Sequence, residues 1–368
     1  MFILPFRQAL YTRTDIFSVH PLQDTSPNGR INILGAAIMC DGNAKTHFNA
    51  TVNFGSNRGY IYERAGKGQT FGGVIEGTGG LTIGNWNQGN VSDSGGTGLE
   101  CAFSDSTFTG DVHIFDRVDS VQNGCFPSGE RSGNTYLHGF WHCGSFSLSL
   151  NGLYGAGYMQ LANGYNITYT LGCDGSDGDY DGRINRSGGT LSLTKTGSGR
   201  QRFGGECTHN GATTVSAGTL QVDGAFTQSA VTVAAGATLA GCGTFGKTVT
   251  LADGAKLEVG SAKLGESDEE MTFENGITFQ GDSAVTFKVL GKTSVATLVG
   301  APSIKDGNKL TISLDSKNLK GGEYCLFRSD SALSIAYSRG ANCGPLSYRN
   351  DGKELWMKKN TSLSITLR

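Results

Sequence analysis

Residues 188–224 have the sequence GGTLSLTKTGSGRQRFGGECTHNGATTVSAGTLQVDG, in which short runs rich in leucine, valine and threonine are separated by glycine. Within these runs, apolar or β-branched residues recur at every second position, as a strand with one buried face requires. The alternating pairs are Leu191 and Leu193, Thr213 and Val215, and Leu220 and Val222. Because no helical spacing competes with this pattern, the stretch predicts an all-β fold of repeated strands and turns.

Composition and charge narrow the class of protein. Glycine accounts for 57 of the 368 residues, roughly twice its usual ~7%, while only 6 prolines are present, which excludes a collagen-like chain. With a net charge of -2 and 17% charged residues, the chain has no electrostatic basis for binding nucleic acid, and no such partner is predicted. No apolar run approaches ~18 residues, so no transmembrane segment is predicted. Strand-and-turn units of this kind stack as one elongated solenoid.

Changes in strand spacing, glycine content and charge along the sequence predict four segments. Residues 1–30 form an irregular N-terminal segment, and residues 31–172 form irregular solenoid rungs with long polar loops. Residues 173–262 form shorter, evenly spaced rungs. In residues 263–368 the glycine content falls and the charge rises, which predicts a β-rich C-terminal cap over the last open rung.

Three motifs carry a resemblance to a known repeat. LTKTGSG at 193–199 is followed by THNGATTVSAGTLQVDG at 208–224 and by a further run of alternating strands at 230–260. Together they resemble the autotransporter-associated β-strand repeat, found in passenger segments of bacterial surface and secreted proteins. The sequence departs from that repeat at 200–202, where Arg-Gln-Arg replaces threonine or leucine, and at His209, where the repeat has tyrosine. The resemblance implies a right-handed parallel β-helix that is extracellular or on the bacterial cell surface.

Three aspartates form the first half of a calcium-loop pattern. Asp177, Asp179 and Asp181 alternate along the chain and are followed by Gly182, as in D-x-D-x-D-G. Carboxylates in this pattern converge on a hard cation, but the twelfth position is Gly188 in place of the bidentate glutamate. The segment therefore predicts either a weak Ca²⁺ site or a plain Asp/Gly turn between rungs. No other cofactor is predicted.

Aromatic residues cluster before the regular rungs. Tyr154, Tyr158, Tyr165 and Tyr169 are candidate glycan contacts, because aromatic faces stack on sugar rings; the alternative is packing at the rim of irregular rungs. His138, His142 and Cys143 also lie close together in the sequence. If this segment is a strand, the two histidines are ~13 Å apart, so packing is favoured over a metal site.

The leading functional hypothesis is a non-catalytic extracellular scaffold, stalk or adhesin-like passenger, with host or matrix glycans or surface proteins as partners. One alternative is a polysaccharide lyase or glycoside hydrolase that uses Asp177, Asp179 and Asp181 with Arg183. A glycosidase needs two carboxyl groups held on rigid strands, whereas these share one glycine-rich segment. The other alternative is a glycan-binding module built on the tyrosines. No nucleophile-elbow, P-loop or metal-hydrolase motif is present.

Overall fold

Strands form all the regular secondary structure of the described residues, and no helix occurs among them. A computed structural model describes residues 9–12, 16–19, 30–34, 37–40, 47–48, 50–63, 70–85, 99–101, 107–115, 117–120, 133–144, 146–161, 164–186, 188–261 and 269–360. No helix in these ranges has the length and apolar character needed to cross a bilayer. The predicted segment 1–30 lies mostly outside the described residues.

The chain divides into two units, Met1–Leu191 and Ser192–Arg368. The strands of the first unit are β1 (Ala9–Thr12), β2 (Ile16–Val19), β3 (Arg30–Leu34), β4 (Ala37–Cys40), β5 (His47–Phe48), β6 (Thr51–Asn53), β7 (Gly59–Glu63), β8 (Thr70–Phe71), β9 (Ile75–Glu76), β10 (Leu81–Asn85), β11 (Leu99–Cys101), β12 (Val112–Ile114), β13 (Val118–Ser120), β14 (Thr135–Leu137), β15 (Phe140–Cys143), β16 (Leu148–Leu150), β17 (Leu153–Gly155), β18 (Tyr158–Leu161), β19 (Asn166–Leu171), β20 (Gly178–Tyr180) and β21 (Arg183–Arg186). Strand β22 (Thr190–Lys195) contains the boundary.

The strands of the second unit are β23 (Arg200–Phe203), β24 (Glu206–Cys207), β25 (Thr213–Val215), β26 (Thr219–Val222), β27 (Ala225–Phe226), β28 (Val231–Val233), β29 (Thr238–Gly241), β30 (Thr244–Phe245), β31 (Val249–Leu251), β32 (Lys256–Val259), β33 (Glu270–Phe279), β34 (Ser283–Phe287), β35 (Val289–Leu290), β36 (Ser294–Val295), β37 (Thr297–Ile304), β38 (Leu310–Leu314), β39 (Gly322–Arg328), β40 (Tyr337–Arg339), β41 (Leu346–Arg349) and β42 (Glu354–Lys359).

Parallel pairing between successive turns organises the first unit. One sheet has the order β2-β4-β7-β10-β12-β14-β17-β20, and a second contains β8-β11-β13-β15-β18-β21. A third face pairs β16 with β19 in parallel. Consecutive strands in the sequence therefore belong to different sheets, and each strand finds its partner one turn later, which defines a parallel β-helix.

The second unit has the same arrangement of parallel pairing between successive rungs. Its sheets contain β23-β26-β29-β32-β34-β38-β40, then β24-β27-β30, then β25-β28-β31. The long strand β33 pairs with both β30 and β31, and its register shifts between Phe273 and Ile277. Gly276 lies in this irregularity with a φ of 79°, a backbone conformation that glycine adopts without strain.

Apolar side chains at equivalent inward positions of successive rungs stack on one another in an inward ladder. Leu220 pairs with Leu239, and Leu239 pairs with Leu257. Leu257 pairs with Val285 and Val285 with Ile312, and all five side chains are buried. The alternation seen in the sequence is thus the alternation between the interior and the surface. The prediction of an all-β parallel β-helix is confirmed.

Antiparallel strands close the second unit. β39 pairs in parallel with β37 on one side and antiparallel with β42 on the other, and β42 pairs antiparallel with β41. Phe327 of β39 packs edge-on against Phe287, with ring centroids 5.1 Å apart. The change from parallel to antiparallel pairing covers the last rung of the stack, as the predicted β cap requires.

Candidate functional site

Three stacked corners of the first unit enclose a cleft of about 280 Å³. Each corner has glycine at its centre: His-Gly-Phe at 138–140, Ala-Gly-Tyr at 156–158 and Asp-Gly-Arg at 181–183. Each joins a strand of one sheet to a strand of the next, so equivalent residues lie one above another. All nine residues line the cleft.

Glycine is required at the centre of the second and third corners because the backbones approach one another closely. A Cβ at Gly157 would lie 2.3 Å from the carbonyl oxygen of Gly139, and a Cβ at Gly182 would lie 2.0 Å from that of Gly157. Any side chain there would push the rungs apart. The glycines therefore set the spacing of the two columns of side chains on either side of them.

The first column is aromatic at one end and open in its middle. The rings of Phe115 and His138 stack with centroids 4.5 Å apart and planes within 9°. The next position in the column is Ala156, followed by Asp181, as the register of the adjoining strands shows. Burial lowers the pKa of His138 below its usual value, so the imidazole is neutral at neutral pH.

The second column contains Phe140, Tyr158 and Arg183, which pair in register across β15, β18 and β21. The Tyr158 ring meets Phe140 edge-on with centroids 5.0 Å apart. Its hydroxyl accepts a hydrogen bond of 2.9 Å from Asn185 Nδ2, which fixes the position of the phenol. The guanidinium of Arg117 lies 5.0 Å from the centre of the Phe140 ring. Tyr158 is therefore held in place at the wall of the cleft.

A neighbouring stack of rings supports the cleft from the side. His113, Tyr136 and Tyr154 occupy successive rungs, with centroid separations of 4.3 Å and 4.9 Å. These separations match the spacing of adjacent strands, about 4.8 Å, so the rings cover one another's faces. Burial raises the pKa of Tyr154, and the nearby Tyr136, Asp177, Asp111 and Asp179 raise it further.

The four tyrosines predicted as glycan contacts lie in different environments. Tyr158 lines the cleft, and Tyr154 belongs to the stack beside it. Tyr165 is 47% exposed and immediately precedes β19. Tyr169 is 1% exposed, and burial raises its pKa well above the usual value. Its prediction as a glycan contact is wrong, because the alternation of β19 places its ring in the core.

The three aspartates lie along an extended strand. Asp177 precedes β20, Asp179 is its central residue and Asp181 follows it, while the intervening Gly178 and Tyr180 are buried. The interpretation of this segment as a turn is wrong for residues 178–180, which form β20, whereas Asp181 and Gly182 lie in the corner between β20 and β21. Same-face neighbours in a strand are about 6.6 Å apart, whereas calcium ligands lie at about 2.4 Å from the ion. No group of three His, Cys, Asp or Glu side chains suited to a metal is found in the described part of the chain. The Ca²⁺ site stays a prediction.

His138, His142 and Cys143 do not share one environment. His138 lines the cleft, whereas His142 Nδ1 lies 3.1 Å from Asp119 Oδ1. Cys143 is buried, which raises the pKa of its thiol to about 12. Packing explains Cys143 and a local polar contact explains His142, whereas His138 faces the cleft. The cleft residues that the sequence did not identify are Gly139, Phe140, Ala156 and Gly157. The signal that could have identified them is the recurrence of a central glycine in the three corner triplets.

In the second unit, charged residues of the 188–224 stretch serve the structure. Lys195 is 1% exposed, and its ammonium donates hydrogen bonds to the carbonyl oxygens of Thr196, Gly197 and Ala217. It therefore satisfies backbone acceptors of the turn in its own rung and of the turn in the next rung. These contacts give a physical reason for the lysine of the LTKTGSG motif.

The Arg-Gln-Arg departure is balanced by a buried carboxylate. Arg202 Nε donates to Asp223 Oδ2 at 2.6 Å, and the two side chains are only 9% and 1% exposed. The same oxygen accepts hydrogen bonds from Gln221 Nε2 at 2.8 Å and Ser261 Oγ at 2.9 Å. Gln201 is buried beside Leu220 in the inward ladder. The buried guanidinium of this departure is thus paired with a carboxylate of the next rung.

His209 is also buried, in the position where the repeat has tyrosine. Its Nε2 lies 2.7 Å from Thr213 Oγ1, and that hydroxyl lies 2.8 Å from Ser229 Oγ. Its ring meets Phe226 edge-on at 5.0 Å. Burial lowers the pKa of His209 to about 4.

Comparison with known families gives one match. Residues 193–222 match the family model of the passenger-associated-transport-repeat. A comparison with curated proteins found no match. The matched residues begin in β22 and end in β26, so they include Lys195, the Arg202 rung and His209. The resemblance noted in the sequence is confirmed for this stretch, which is similar to a passenger-associated repeat.

Proposed function

We propose that this chain is a non-catalytic β-helical scaffold, the adhesin-like passenger of a bacterial surface or secreted protein. The observation that carries the proposal is the passenger repeat at 193–222 folded as stacked rungs. Its location is extracellular or at the cell surface, as passenger repeats imply. Its partners are host or matrix glycans or surface proteins.

The roles of the polar residues in the repeat support a structural function. Lys195 binds turn carbonyls, Arg202 pairs with Asp223, and His209 contacts a buried threonine. Inward positions hold leucine, valine and phenylalanine. The lysine, arginine and histidine of the repeat therefore hold successive rungs together and are not available for catalysis.

The enzymatic alternative requires two carboxyl groups placed across a glycosidic bond, about 5 to 9.5 Å apart on rigid elements. Asp179 lies in β20, and Asp181 and Arg183 follow it along the same segment. A lyase or hydrolase at this place would depend on these three side chains. The test is to incubate the purified chain with plant, algal and host glycans and to measure new reducing ends and unsaturated products. We expect none. Turnover above ~1 s⁻¹ that Asp181→Asn abolishes without unfolding would replace the scaffold with an enzyme.

The surface location has a separate test. On intact cells that express the full-length protein, external protease should cleave this segment, whereas a cytoplasmic marker should stay intact. Protection of the segment equal to that of the marker would contradict the proposed location. A glycan-binding role is the second candidate, and the cleft at the three glycine corners favours it.

A further inference from the structure

The first column of the cleft has a gap of one ring. Phe115 and His138 stack face to face, but the next position is Ala156, whose methyl group leaves the other face of the imidazole uncovered by a ring. Asp181 occupies the position after it. Two strand spacings, about 9 to 10 Å, separate the His138 and Asp181 rungs. A flat ring at the level of Ala156 would continue the aromatic stack.

The walls of this gap differ in chemistry. One side is the face of a neutral imidazole, and the opposite side carries the Asp181 carboxylate with the exposed Arg183 next to it. The lateral wall is the phenol of Tyr158, held by Asn185. A ligand that fits must be flat, with C–H groups on one face and hydroxyl groups on the other. A carboxylate accepts hydrogen bonds from a pair of hydroxyls, while a guanidinium donates them.

We propose that the gap at Ala156, between His138 and Asp181, binds one pyranose ring of a neutral glycan. The C–H face of the sugar lies on the imidazole, because ring faces carry the negative part of the aromatic quadrupole. Its hydroxyls face Asp181, Arg183 and the Tyr158 phenol. This assignment rests on the proposed adhesin-like function and supplies its contact site.

The size of the cleft supports a single ring. Its volume of about 280 Å³ lies just below the about 300–1,000 Å³ of pockets for drug-sized ligands. A planar aromatic ligand would find a matching ring on the imidazole side only, and would remove water from the charged groups opposite without replacing their hydrogen bonds. The two kinds of ligand therefore give different outcomes in one experiment.

The experiment is saturation-transfer difference NMR on the full chain with methyl glucoside, methyl galactoside and methyl mannoside, and with indole as the aromatic probe. At least one pyranoside should receive saturation, strongest on the C–H protons of one ring face. Ala156→Phe should reduce that signal at least tenfold, because the new ring occupies the gap. Ala156→Ser, which stays small, should retain it. Ala235→Phe, at an exposed turn of the second unit, controls for added hydrophobic surface and should leave the signal unchanged.

If Ala156→Phe does not fold, the Asp181→Asn and Arg183→Met variants replace it, since both side chains are exposed and each should weaken binding several-fold. Absence of saturation for all three pyranosides, equal signals in wild type and Ala156→Phe, or binding of indole alone would each overturn the assignment. A bound sugar that is also cleaved would overturn the non-catalytic function and leave the binding site standing. A chain that neither binds nor cleaves would lose only the binding site.

Discussion

At the residue scale, the 188–224 stretch places titratable groups where a β-helix normally buries apolar ones. His209 is enclosed by Thr213 and Phe226, and Asp223 by Arg202, Gln221 and Ser261. His209 bonds Thr213 of its own rung and Asp223 bonds Arg202 of the preceding rung, so the cost of burying each group depends on its partner. These positions should therefore control how the stability of the second unit responds to pH and to single substitutions.

We predict that His209 makes stability fall in mild acid. Its pKa is about 4 when folded, against an ordinary 6.5, so the unfolded chain takes up the proton first as the pH falls. The stabilisation is fully present above pH 6.5 and is lost as the pH falls from about 6.5 to about 4, a loss of about 3 kcal/mol in the free energy of unfolding.

The comparison is urea unfolding of wild type and His209→Gln at several pH values from 7.5 to 4. Glutamine keeps a hydrogen-bond acceptor for Thr213 and does not titrate. The free-energy difference between the two proteins should narrow by about 3 kcal/mol over this range. A constant difference would show that His209 is not buried in its neutral form.

The ion pair of Arg202 and Asp223 gives a second prediction. Asp223→Asn keeps the shape but leaves the guanidinium, whose side chain is 9% exposed, without its counter-charge. We expect a loss of about 3–5 kcal/mol in the free energy of unfolding, measured by urea denaturation. The matched control is Glu270→Gln at the ion pair with Arg328, whose side chains are 40% and 48% exposed, and this change should cost at most about 1 kcal/mol. Equal losses at the two sites would contradict the burial of Asp223.

At the element scale, rungs stack at one strand spacing in two different ways. The inward ladder on β26, β29 and β32 fills the space with side chains, whereas the corners of the first unit leave room for none. Stacked rungs bring identical positions within one strand spacing, so Leu220 and Leu239 bury each other's side chains. At the corners, no side chain fits between rungs, and glycine takes those positions. A strand of only three or four residues is stable here because the rung above and the rung below satisfy its backbone groups.

The ladder predicts a sharp difference between the two faces of the strands. Leu220→Asp places an unpaired carboxylate at a position that is 1% exposed and should cost more than about 3 kcal/mol. Thr232→Asp, at the outward central position of β28, should change the free energy of unfolding by less than about 0.5 kcal/mol. Denaturant unfolding measures the free energy of unfolding of both variants. Similar losses for Leu220→Asp and Thr232→Asp would refute the register of β26.

At the scale of the whole molecule, each unit buries its own interior, and the second unit ends in an antiparallel layer. A stack of parallel strands leaves an edge with free backbone groups at its last rung, which is a template for association with other chains. β39 and β42 cover that edge on β37, and Leu326 and Phe327 of β39 are fully buried beneath the layer. We therefore expect the cap to increase solubility as well as stability.

Removal of the cap tests this role. A chain that ends after residue 321 lacks β39 to β42, exposes β37 and deprives Phe287 of its contact with Phe327. We expect most of this protein to elute as aggregates in size-exclusion chromatography with light scattering. A chain that ends at Asn360 keeps every described strand and should elute as the full-length protein does. A monodisperse, folded product of the shorter chain would show that the cap is dispensable.

The sequence by itself determined the strand periodicity, the repeated turns and the match at 193–222. These features are local: alternation at every second residue and a glycine after each short run suffice to specify a rung, and rungs of one kind can only stack. The burial of Leu220 and Leu239 followed directly from that alternation. For the same reason Tyr169 could have been placed in the core, since it alternates with the buried Ile167 and Leu171.

Only the tertiary structure decided which distant residues meet. The cleft joins three corner triplets that are separated in the sequence by loops and strands of unequal length, so no spacing rule relates His138, Ala156 and Asp181. The partner of Arg202 is likewise fixed by the register, which pairs Arg202 with Gln221 in the next rung and brings Asp223, two positions further along, within 2.6 Å. Local pattern sets the face on which a side chain lies, whereas the length of each turn sets its neighbour, and turn lengths vary along this chain.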